Sequence, residues 1–183
     1  ISLAHVRRKT QETTMAQKLK TQTGFYIGQW GALGWAETII KLGAHILALI
    51  ALLYALLYGS YTIPQGWRFI QVMILGFLSF GLTIAFFDRI IQREIISIIF
   101  GIVNAIAHWS MVYALMTQPG PGWTLPLFAL LMLIGDLIKL RFFALTNYIT
   151  HTYPGVPVWL PYFLVSVYVV GYGILVMLGF AGV

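Results

Sequence analysis

The sequence predicts an all-α, polytopic transmembrane helix bundle of five spans with its N-terminus in the cytoplasm. Three observations predict it. Of 183 residues, 60% are hydrophobic and only 9% are charged, against about 25% charged in a soluble domain, so the chain has too few charges to cover a water-facing surface. Five apolar stretches are each about as long as the roughly 20 residues that a helix needs to cross a bilayer. All the Lys and Arg residues but Arg68 fall on one side of those stretches, as the positive-inside rule favours.

Residues 1–23 read as a polar, basic N-terminal tail. It carries Arg7, Arg8, Lys9, Lys18 and Lys20, opposed only by Glu12. Such a tail orients the protein and meets anionic lipid headgroups. The formal net charge of +6 belongs mostly to this segment. It lacks the interleaved aromatics or fold motif of a nucleic-acid binder, so no nucleic-acid partner is expected. Met15 is a plausible start of the mature chain, and the basic stretch lacks the short apolar core and cleavage site of a signal peptide.

Residues 24–36 mix aromatics with glycine, including Trp30 and Trp35. Tyr and Trp favour the headgroup region, so this segment is expected to lie at the interface. Span one then covers 37–58, with Glu37 and Lys41 at i,i+4 in the favourable order. Span two covers 68–87 and closes on a charged turn, Asp88, Arg89, Arg93 and Glu94. Span three covers 95–116. The breaker cluster Pro119, Gly120, Pro121 and Gly122 precedes span four at 123–143, where Pro126 sits in the first turn. A polar loop is expected over 144–157, and span five over 158–180. With a cytoplasmic N-terminus, the tail, Lys41, Arg89, Arg93, Lys139 and Arg141 share the inner side, and only Arg68 lies outside. The membrane expected is the cell's inner, cytoplasmic one.

Ionisable groups inside spans are the candidates for function. Asp136 follows a long apolar run. It reads either as a proton- or ion-binding carboxylate or as the partner of Lys139 or Arg141 in a structural ion pair. Glu37 and Lys41 read as a second such pair. His45 and His108 are candidate axial ligands for haem or a pigment. Their depths differ by roughly 7–8 Å at 1.5 Å per residue, which argues against one haem between them. Asn104, Gln71 and Thr83 are expected to hydrogen-bond between helices, and Ala51/Ala55, Gly81/Ala85 and Gly101/Ala105 to allow close helix approach.

The absence of cysteine excludes disulfides, thiolate zinc sites and Cys-held iron–sulfur clusters. No phosphate loop, HExxH or nucleophile elbow occurs. The expected role is therefore a non-catalytic accessory subunit that packs against other integral membrane subunits and lipids, with no cofactor of its own. Trp30, Trp35, Tyr162, Tyr168 and Tyr172 are the expected partner-facing residues. The alternatives are a small oligomeric transporter using Asp136, and a single-histidine pigment or haem protein.

In its five-span outline, basic N-terminal tail and lack of cofactor ligands, the chain resembles the small subunits of bacterial respiratory and photosynthetic electron-transfer complexes. The alternative complex III type of quinol-oxidising assembly is the specific resemblance. It implies a subunit without turnover inside a complex that is itself an enzyme.

Overall fold

The computed structural model describes residues 31–91, 95–118, 122–152 and 155–181. Their order is α1 Gly31–Tyr58, β1 Ser60–Tyr61, α2 Trp67–Ile91, α3 Ile95–Leu115, β2 Thr117–Gln118, α4 Thr124–Leu145, α5 Tyr148–Thr152 and α6 Trp159–Ala181. The basic tail and Trp30 lie outside the described residues.

The five long helices close into a ring. α1 packs on α3 and α4, α4 on α6, α6 on α2, and α2 back on α3. The centre is filled by Leu75 of α2, Met111 of α3, Phe128 and Met132 of α4 and Leu175 of α6, all 0 or 1% exposed. α1 contributes small residues: Ala44, Ala48, Ala51 and Ala55 form a buried stripe. Their spacing of three to four keeps them on one helix face, and small side chains let neighbouring backbones approach. Outward faces carry large apolar groups such as Leu53, Leu57, Phe77, Phe80 and Met177, each more than half exposed. An apolar exterior of this extent is the surface of a membrane protein, since soluble monomers rarely expose apolar patches beyond a few hundred Å².

Four helices, α1, α2, α3 and α6, are long and apolar enough to cross a membrane. α4 has 22 residues, but Asp136, Lys139 and Arg141 interrupt its apolar run. It is the helix expected as span four.

Three boundaries differ from expectation. Gly31 to Ala36, expected at the interface, are already helical and continuous with span one. Leu33 packs against Phe142, Phe143, Tyr148 and Ile149, and that contact favours extending the helix. Within the expected polar loop 144–157, Tyr148–Thr152 form a helical turn. Its Tyr148 and Ile149 are buried beneath α4 and α6. The charged turn after span two begins later than expected, because α2 continues to Ile91.

The opposite end of the bundle is stitched by a two-residue antiparallel ladder, Ser60 with Gln118 and Tyr61 with Thr117. Arg68 donates to the carbonyls of Leu115 and Thr117, both at 2.6 Å. These carbonyls stand at and just beyond the end of α3, where no helical N–H remains to bond them. A cation there also complements the helix dipole. Gly59 fits because a Cβ would stand 2.6 Å from the Ala55 carbonyl oxygen and 2.7 Å from Thr117 Cβ.

Candidate functional site

α1 places Glu37, Lys41 and His45 at successive four-residue steps, hence on one side of the helix. That side faces α3 and α4. The Lys41 ammonium donates to Glu37 at 2.8 Å and to Asp136 of α4 at 2.5 Å. Lys139 reaches Glu37 from α4 at 3.4 Å. The four formal charges sum to zero. Their side chains are 13%, 14% and 7% exposed for Lys41, Glu37 and Asp136, and 33% for Lys139, so the group is largely withdrawn from its surroundings.

Glu37 and Lys41 pair along α1 as the spacing suggested, Asp136 meets Lys41 across to another helix, and Lys139 reaches Glu37. Arg141 is exposed. Two features favour the cross-helix arrangement. α1 and α4 lie side by side, and Gly135 removes the side chain that would block the lysine. A Cβ on Gly135 would lie 2.8 Å from Lys41 Cγ and 2.9 Å from Cε.

One helical turn deeper, His45 Nε2 lies 2.9 Å from Asn104 Oδ1 on α3. Asn104 also lends its backbone carbonyl to His108 Nδ1, at 2.7 Å. His108 Nε2 is 2.5 Å from the Tyr172 hydroxyl of α6. A carbonyl only accepts, so Nδ1 carries the proton, and Nε2 accepts from the Tyr172 O–H. A charged ring is costly at this fully buried position, so His108 is read as a neutral imidazole whose lone pair is taken by Tyr172. Its ring edge meets Phe128 at 5.1 Å between centroids. His108 and Tyr172 are both 0% exposed.

Both ring nitrogens of His108, expected as a candidate axial ligand, are engaged within the chain. The tyrosines of α6, expected to face a partner, make contacts inside the bundle. Tyr172 bonds His108, Tyr168 donates to the Leu78 carbonyl at 3.1 Å, and the Tyr162 ring meets Phe143 edge-on at 5.6 Å. A hydroxyl inside an apolar bundle needs a partner, and those of Tyr168 and Tyr172 have found theirs within the chain. Trp35 is exposed, at 53%. Thr83 does join two helices as expected, accepting from Trp109 Nε1 at 3.0 Å.

A cavity of about 380 Å³ lies beside this polar row, between α1, α3, α4 and α5. Glu37, Lys41, His45, Asn104 and Lys139 line it on the polar side, and Phe100, Phe142, Phe143 and Tyr148 on the aromatic side. Among the described residues, no three His, Cys, Asp or Glu side chains gather as a metal site would require. The cavity itself had no signal in the sequence, because its walls come from four separate helices. The spacing of Glu37, Lys41 and His45 was the one local clue that α1 has a polar side.

No protein family matches the chain, nor does any curated protein sequence or solved structure.

Proposed function

We propose that the chain is a non-catalytic subunit of a larger membrane complex, embedded in a bacterial inner membrane through five spans with its N-terminus in the cytoplasm. α4 is taken as the fifth span because it lies between α1 and α6, both long enough to cross. Its 22 residues rise about 33 Å at 1.5 Å each, close to the thickness of a hydrocarbon core. Pairing of Asp136 with Lys41 removes the largest obstacle to placing that helix in lipid.

The observation that carries the packing role is where the polar row stops. It begins at Glu37 and ends at Tyr172, and beyond it the centre of the bundle is closed by Met111, Phe128 and Leu175. A transporter needs polar groups from one side to the other. Here the charges are used in joining helices, while α6 turns Phe163, Val170, Met177 and Phe180 outward. The outline shared with small subunits of respiratory and photosynthetic electron-transfer complexes makes such an assembly the proposed partner, with lipid around the remainder.

A photo-reactive residue at Phe163 or Val170, introduced in the native membrane, tests the role. The expected product is one discrete adduct with another integral membrane polypeptide. Ion or solute flux carried by the purified chain in liposomes, or labelling of lipid alone at both positions, would overturn it.

A further inference from the structure

We infer that the cavity between α1, α3 and α4 binds the head group of a membrane quinone or quinol, a role that goes beyond packing. Four observations converge on that chemistry.

Access is from the bilayer. Leu42 of α1 and Ile99 and Val103 of α3 line the cavity and are 53%, 55% and 40% exposed on the outer face of the bundle. A ligand passing between them travels through lipid, so it is an amphiphile. The cavity volume of about 380 Å³ falls in the range of small-molecule pockets, roughly 300–1,000 Å³.

Polar capacity is left over at its wall. His45 is 8% exposed, and its Nε2 bonds the Asn104 side-chain oxygen. That leaves the Asn104 amide N–H groups and the His45 Nδ1 lone pair without a partner among the described residues. Buried polar groups are nearly always satisfied, and the hydrocarbon core offers no water to do so. The amide is a donor suited to a quinone carbonyl. The imidazole nitrogen is an acceptor suited to a quinol hydroxyl.

Aromatic groups complete the lining. Phe100, Phe142, Phe143 and Tyr148 contribute to it, and aromatic faces and edges pack well against a flat ring.

Charge selects against the obvious competitor. Lys41 and Lys139 are balanced by Glu37 and Asp136, so the site is formally neutral. The head group of an anionic phospholipid such as phosphatidylglycerol would bring an uncompensated charge into low dielectric, whereas a quinone head group brings none.

The test uses the full chain in lipid nanodiscs, titrated with a decyl-substituted benzoquinone and, separately, a decyl-substituted naphthoquinone. Saturable binding of one or both at one per chain is expected. Asn104→Leu should weaken it at least tenfold. Val103→Trp and Leu42→Trp, which place bulk on opposite lips, should each do the same while leaving the thermal unfolding midpoint unchanged. Two lip variants are used so that poor folding of one leaves the other decisive. Absence of saturable binding, or equal affinity in a folded lip variant, overturns the inference. Phosphatidylglycerol retained at one per chain, and displaced by the lip variants while quinone fails to bind, overturns it in favour of a lipid site.

Discussion

Lys41 of α1 and Asp136 of α4 meet at 2.5 Å, and this contact joins the two helices through opposite charges in a setting where hydrophobic force between helices is weak. Removing one partner strands the other. Lys41→Met should lower stability by about 3 kcal/mol, the scale measured for breaking buried pairs. Replacing both, as Lys41→Met with Asp136→Leu, should recover most of the loss, because no uncompensated charge then remains. Thermal unfolding of the four combinations in detergent gives the coupling directly. Equal and additive losses would show that the two groups do not act as a pair.

Gly135 should behave as part of the same contact. A side chain there would collide with the Lys41 stem at 2.8 Å from Cγ. Gly135→Val is therefore expected to displace the ammonium from Asp136 and to cost about as much as Lys41→Met, roughly 3 kcal/mol. In a Lys41→Ala background, where the stem is gone, the same substitution should cost much less. The measurement is the difference between the two backgrounds. Identical costs would mean that Gly135 matters for another reason.

Hydropathy made the long helices readable because each must present apolar residues to lipid over its whole length, and the breaker cluster Pro119, Gly120, Pro121 and Gly122 separated two of them. The Ala51/Ala55 spacing likewise foretold part of the tight face of α1. The polar site was harder. Local spacing rules see Asp136 beside Lys139, and nothing in them reports that Lys41 arrives from a helix distant in sequence. Orientation of α6 was also hidden. Its sequence is apolar all round, so no polar stripe says that Tyr172 faces His108 and Phe163 faces outward. The short helix at Tyr148 was missed because its neighbours are polar, while its own two apolar residues pack under α4 and α6.

The His108–Tyr172 contact predicts a tautomer. With the Asn104 carbonyl fixing the proton on Nδ1, nitrogen NMR of labelled protein should show a protonated Nδ1 and an unprotonated Nε2. Tyr172→Phe keeps the ring and removes the donor, leaving a buried acceptor unpartnered at a cost of about 1–3 kcal/mol. The Nε2 signal should shift while Nδ1 stays protonated. An Nε2–H tautomer in the native protein would contradict the assignment.

Topology follows from which ends of the bundle carry which charges. The start of α1 and the end of α4 lie together, since Lys139 reaches Glu37 and Leu33 packs on Phe142 and Phe143. Arg68 lies at the other end, clamped to the carbonyls of Leu115 and Thr117. Lys139 and Arg141 therefore share an end with the start of α1, the helix that Arg7, Arg8, Lys9, Lys18 and Lys20 precede in sequence. Positive charge is held on the cytoplasmic side, so that end is expected inside and the Ser60–Gln118 ladder outside. With the five crossings proposed above, the end of α6 is expected at the outer face. A phosphatase fused after residue 183 should be active and a fluorescent protein fused there should be dark. Fusions in the 59–66 connection should behave the same way, and fusions after Asn147 the opposite way. Arg68→Glu should leave this pattern intact, because one outer charge is outweighed by the inner cluster, while loosening the clamp on α3 enough to lower the unfolding midpoint. A C-terminal fusion active only in the cytoplasm would mean an even number of crossings, and would remove α4 from the set of spans.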